Sequence, residues 1–198
     1  MRYKIIANNI NKNWLIKQPE GHLIFFYNKQ SELLKPLSEF IYYGIQANEI
    51  CIVIAQRANI IKINQRLNEL LINADEQINK GQYIVLDANN ILKKIMLNGL
   101  PNKTLFLETF NKAFSVLRNN YPYKKRKIRV YGELTATFYL TRNLKGIIQL
   151  ESMWNELANK QSLTLFCGYP KQILANNRRF MKQLANHHDN QITINSLI

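Results

Sequence analysis

The chain has 198 residues, 46% of them hydrophobic, and carries a formal net charge of +14 with a pI of about 9.8. That length fits one domain with a full core, and two cysteines are too few for a disulfide scaffold. No apolar run approaches the roughly 20 residues of a membrane helix, and the basic start Met1-Arg2-Tyr3-Lys4 leads into no signal-peptide core, so a cytoplasmic protein with no membrane partner is expected.

Residues 1–20 are polar and mixed, with Trp14 and Leu15 as candidate anchors, and read as an N-terminal extension to a domain spanning 21–190. Gly21-His22 lead into Leu23-Ile24-Phe25-Phe26-Tyr27, an apolar run of strand length. After Asn28-Lys29-Gln30-Ser31, apolar residues recur at Leu33, Leu34, Leu37, Phe40, Ile41 and Ile45 with a helical period. Pro36 suits the first helical position, so this helix is predicted to start there. Ile50-Cys51-Ile52-Val53-Ile54-Ala55 is continuously apolar, which marks a strand covered on both faces, as in parallel sheets. A second helix places Ile60, Ile63, Leu67, Leu70 and Leu71 on one side. A turn at Gly81 precedes the strand Tyr83–Leu86, and Asp87 or Asn89 can cap the short helix that follows. Gly99 and Pro101 stop that helix, and Phe106, Phe110, Phe114 and Leu117 mark another. Ile128–Tyr131 is the next strand and ends in Gly132-Glu133. Residues 135–142 form a short helix or turn, and 145–159 a clear helix. Leu163–Cys167 is a fifth strand, a last helix carries Ile173 to Leu184, and 191–198 are a tail or an edge strand. Strands alternating with helices predict an α/β three-layer sandwich with a mainly parallel central sheet. Both cysteines lie in apolar strand-like runs and read as buried free thiols.

The first strand, loop and helix have the layout of a nucleotide-binding domain, yet the turn from Tyr27 to Ser31 contains no glycine to wrap a phosphate. The seven glycines are too scattered for either glycine-rich nucleotide fingerprint. Hydrolysis of ATP by a phosphate loop is therefore not expected, and neither a catalytic set nor a cofactor is assigned. Ligands of parallel sheets sit outside the carboxyl ends of the strands. Candidate ligand-binding residues are accordingly Tyr27, Asn28, Asp87, Tyr131, Glu133 and Tyr169, with Glu151 joining them from the helix and Arg129 or Tyr131 as its candidate partner. His22 precedes its strand, so it belongs at the opposite end from Glu133 and reads as structural. His187-His188-Asp189 is metal-like in composition, but no Cys or Glu at ligand spacing supports it, and no metal site is assigned. The alternative to a small-molecule or protein partner is nucleic acid, bound by Lys124, Lys125, Arg126 and Lys127 with Arg178 and Arg179. A weaker reading is a nucleotide binder that does not hydrolyse.

Several pieces in order resemble the MEDS domain, named for methanogens, methylotrophs and the regulator DcmR. They are His22–Tyr27; Phe40 with Gly44 and Glu49; Gly81-Gln82 leading to Asp87; Arg129-Val130-Tyr131-Gly132-Glu133; Glu151 with Trp154-Asn155; and Cys167-Gly168-Tyr169. The resemblance covers roughly residues 20–190. It implies a fold related to RecA and the clock protein KaiC with a degenerate phosphate loop. It also implies a sensory role toward small hydrocarbon derivatives. Such domains usually accompany a kinase or DNA-binding module. None is recognised in this sequence, so the output is expected to pass through a separate partner, a kinase or transcription regulator.

Overall fold

A computed structural model describes residues 21–120, 126–174, 178–188 and 190–193. Trp14, Leu15, Lys124, Lys125, Asp189 and Ile194 lie outside them. The chain opens with strand β1 (His22–Tyr27), helix α1 (Gln30–Gln46), β2 (Ile50–Ala55), α2 (Arg57–Glu69), the short α3 (Ala74–Asn79) and β3 (Tyr83–Asp87). It continues with α4 (Ala88–Ile95), a hairpin of β4 (Met96–Leu97) and β5 (Leu100–Pro101), and α5 (Lys103–Asn120). Then come β6 (Ile128–Gly132), α6 (Leu134–Leu140), α7 (Leu144–Gln161), β7 (Leu163–Pro170), a 3-10 turn (Lys171–Leu174), α8 (Arg178–Ala185) and β8 (Asn190–Thr193). The main sheet has six strands in the order β3-β2-β6-β7-β1-β8, and every pairing in it is parallel.

Alternate residues of each strand point to opposite faces, and both faces are apolar, so two cores form. Leu23, Phe25, Cys51, Val53, Tyr131 and Phe166 pack under α1, α2 and α3. Ile24, Phe26, Ile52, Ile54, Val130 and Leu165 pack under α4 to α8, where Trp154 stacks edge-on against Phe106. The result is a helix–sheet–helix sandwich. No helix among the described residues is long and apolar enough to cross a membrane.

Four local outcomes differ from the sequence reading. Helix α1 starts at Gln30, not at Pro36, which sits inside it. Burying Leu33 in the earlier turn contributes about 1.5–3 kcal/mol and, with Glu32 at the positive helix end, offsets the ~3 kcal/mol cost of an interior proline. Leu71 leaves the buried side of α2, because the helix ends at Glu69 and Leu71 turns out in a left-handed conformation, 93% exposed. The stretch 74–79 is helical, capped by Asn73, whose side chain accepts from the Glu76 N–H at 3.0 Å. Gly99 does more than stop α4: with φ of +77° beside Asn98 at +51°, it turns the β4–β5 hairpin. Asp87 does cap α4, accepting from the Asn90 N–H at 3.0 Å.

Candidate functional site

The chain leaves β2 into α2 on one face of the sheet and leaves β6, its neighbour, into α6 on the other. Such a divergence opens a crevice at the strand ends. Glu133, the residue after β6, stands in it with 8% exposure. Its N–H continues the sheet by donating to Ile54 O at 2.8 Å. Its carboxylate accepts from the Gln56 N–H at 2.9 Å, from Asn59 Nδ2 at 2.5 Å and from Gln30 Nε2 at 3.2 Å. One carboxylate thus ties the starts of α1 and α2 to the end of β6. Burial holds its pKa above the usual carboxylate value, and these hydrogen bonds and the charge of Lys62 oppose that shift. Burial and then Glu133 push the Tyr27 hydroxyl up to about 12. Beside this knot, a cavity of about 240 Å³ lies between α1 and α2, with Tyr131, Leu33, Leu37 and Ile63 in its wall and Gln30, Asn59 and Lys62 at its edge. A larger one, about 540 Å³, lies between α5 and the β3–β2–β6 edge. Its walls are mostly apolar, and although Lys94, Glu108 and Lys112 line it, no hydrogen-bonded polar cluster stands in it among the described residues, so the smaller cavity is the better candidate.

The turn after β1 is closed to phosphate. The Asn28 N–H donates to the Glu32 carboxylate at 2.8 Å, so an acidic side chain occupies the helix start where a phosphate loop would place its anion.

Glu151 lies elsewhere. It belongs to α7, is 0% exposed, and faces the opposite side of the sheet from Glu133. Its partner is neither Arg129, which pairs with Glu49, nor Tyr131, but Tyr169, whose hydroxyl donates to Oε1. Around Oε2 stand His22 Nε2 at 3.2 Å and His188 Nε2 at 3.4 Å. Cys167 Sγ is 3.1 Å from His22 Nε2. Burial, then the charge of Glu151, holds both the Cys167 thiol and the Tyr169 hydroxyl well above their ordinary ranges. Burial and then His22 press His188 well below the usual imidazole value.

Of the residues picked from the sequence, the fold gathers Tyr27, Tyr131 and Glu133. Asn28 is exposed at the turn, Asp87 is engaged as a cap, and Glu151 and Tyr169 join a second, buried cluster. Gln30 and Asn59 were missed because single polar residues in the first turn of a helix carry no pattern. Cys167 was missed because the pairing of β7 with β1, which puts Cys167 beside Ile24, is not written in either strand, and His188 was set aside because the Cys and Glu near it come from distant positions. In the basic set, Lys127 is exposed just before β6, at the N-terminal edge of the sheet. Arg179 is exposed and lines a shallow pocket with Lys145.

The model of the MEDS family, described as the methanogen/methylotroph, DcmR sensory domain, matches residues 21–189. The chain is a MEDS domain. No curated protein matches it in sequence. As a MEDS domain it is a non-catalytic sensory module, and the parallel sheet flanked by helices is consistent with the RecA- and KaiC-like fold of that family.

Proposed function

We propose that this MEDS domain senses a small molecule with an apolar body and one hydrogen-bonding group, held between α1 and α2 beside Glu133. A kinase or transcription regulator that reads the spacing of those helices is the proposed partner. The observation that carries this is the cavity of about 240 Å³ lying against the Glu133 knot. It is smaller than the roughly 300–1,000 Å³ of drug-sized sites, which favours a compact ligand. Leu33, Leu37 and Ile63 supply apolar contact. A ligand hydroxyl or halide that takes the Gln30 or Asn59 amide from Glu133 loosens one helix from the other. Binding and helix spacing are then coupled through a single carboxylate. The Glu32 carboxylate at the start of α1, where a phosphate loop would hold its anion, disfavours the nucleotide alternative.

The test is a thermal-shift series with small alcohols, halogenated hydrocarbons, ATP and duplex DNA. A sensed organic at a hundredfold excess over its Kd stabilises the fold by about 2.7 kcal/mol. Leu34→Trp, at a half-buried position on the wall, abolishes that shift while leaving the unliganded Tm within a few degrees. A shift with ATP or DNA that Leu34→Trp leaves intact would refute the reading.

A further inference from the structure

The buried cluster under α7 does not belong to the crevice, and the partners of its rings orient them. His188 Nδ1 lies 2.8 Å from the Leu184 carbonyl oxygen, so Nδ1 carries the proton and Nε2 the lone pair. His22 Nδ1 lies 2.7 Å from Asn155 Oδ1. The Asn155 amide is oriented by donating Nδ2 to the His187 carbonyl at 2.8 Å, so its oxygen must accept from His22, and His22 Nε2 also holds a lone pair. Both lone pairs face Glu151 Oε2, and His22 Nε2 also faces Cys167 Sγ. Glu151 Oε2 and His188 Nε2 have no hydrogen-bond partner of good geometry among the described residues, although their side chains are 0% and 1% exposed. Unsatisfied polar atoms in a dry core are costly, and these two, one on a carboxylate and one on an imidazole, stand 3.4 Å apart.

We propose that His22 Nε2, His188 Nε2, Glu151 Oε2 and Cys167 Sγ bind one divalent transition-metal ion of the zinc type. The four atoms lie within 4.8 Å of one another, and the three distances above, 3.1, 3.2 and 3.4 Å, approach the edge of about 3.3–3.7 Å that a tetrahedral zinc site requires. Two imidazoles, one carboxylate and one thiol form a mixed nitrogen, oxygen and sulfur set suited to zinc. On binding, the Cys167 proton leaves to solvent, and the thiolate and carboxylate neutralise the dication, so the loaded site carries no net charge. Each imidazole donates its second nitrogen's proton to a carbonyl-type oxygen, the outer support that metal-bound histidines show. The ligands come from β1, α7, β7 and the turn between α8 and β8, so the ion fastens the last elements of the chain to the core. This site is independent of ligand binding in the crevice.

The experiment takes the full chain, strips it with a chelator, and titrates it with Zn²⁺ and separately with Co²⁺. Expected are one equivalent bound, a Tm that rises with metal concentration, and a Co²⁺ spectrum with a sulfur-to-cobalt charge-transfer band. Cys167→Ser removes that band. Asn155→Ala keeps all four ligands and weakens affinity by about 10–100-fold. Wild-type protein that binds Co²⁺ without the charge-transfer band, or binds no ion, would overturn the proposal whether or not any variant folds. So would equal affinity in wild type and Asn155→Ala.

Discussion

Arg129 is a charged side chain at 2% exposure inside a strand whose other residues are apolar or aromatic. Its Nε is paired with the Glu49 carboxylate, its Nη1 donates to Phe40 O at 3.0 Å, and its guanidinium lies 5.1 Å from the centre of the Phe40 ring. A guanidinium is weakly hydrated and planar, which suits it to such a slot. Removing Glu49 takes a carboxylate away from a buried guanidinium, so Glu49→Ala is expected to destabilise the fold by about 3 kcal/mol. Adding Arg129→Met to it recovers part of the loss, because the buried charge goes with it. Urea unfolding checks this through a lower midpoint for the single variant and a partial return for the double. If the double variant is less stable than the single, the charge argument fails. The same residue shows where sequence reading stops. That Arg129 is buried follows from its strand, but that it meets Glu49, in the turn before β2, and not Glu151 on α7 depends on which face of the sheet it points to. Glu133 was legible, because a carboxylate directly after a strand and a glycine stands where parallel sheets bind ligands. The Glu151 cluster was not, since its four ligand-type atoms come from positions 22, 151, 167 and 188 with no local spacing among them.

Helix α1 shows the same division one level up. Its apolar period was plain, but its start was misplaced by the proline rule and the reason for Gly44 was hidden. Gly44 lies near the end of α1, where the helix crosses β2 and β6. A Cβ added there would come within 2.5 Å of Cys51 Sγ and 2.9 Å of Arg129 Cδ. In an open helix, replacing glycine by alanine stabilises by about 1 kcal/mol. Here the sign reverses: Gly44→Ala is expected to cost about 1–3 kcal/mol through overpacking. Removing the Cys51 sulfur in Gly44→Ala/Cys51→Ala restores part of it, since the two sites share one contact. Thermal unfolding of the three proteins is the measurement, and a Gly44→Ala variant more stable than the parent would contradict the close approach. Strands were more legible than helix ends because a continuous apolar run such as Ile50–Ala55 has few other readings at that length. The order of the strands was not legible, because each is apolar on both faces and pairs through backbone alone.

At the scale of the whole molecule, Glu133 joins parts that the sheet alone does not hold together. Glu133, the residue after β6, supplies the carboxylate, α2 supplies Asn59 and the loop before it Gln56, and α1 supplies Gln30. Lys62 is the nearby cation, and Tyr27 and Tyr131 are the neighbouring hydroxyls. The native pKa of Glu133 is raised by burial above its ordinary value of 4.5, so the folded protein holds this proton more tightly than the unfolded chain does. By linkage, its contribution to stability is fully present below the unfolded value and falls as pH rises through the raised native one. Other groups titrate in the same range, among them His187 and His188, whose burial lowers them and gives the opposite slope. The difference between wild type and Glu133→Gln cancels them. Glu133→Gln keeps the shape but turns an amide N–H toward Asn59 or Gln56, a loss that does not vary with pH. The variant is therefore expected to be less stable throughout, with the gap narrowing as pH rises from 4.5 and constant above the native pKa. Urea midpoints of both proteins measured between pH 4 and 8 test this. A gap that stays constant across that range would mean that the carboxylate is as well solvated as in the unfolded chain, and one that widens would mean that its hydrogen bonds to Gln30, Gln56 and Asn59 outweigh burial; either result would overturn the raised pKa.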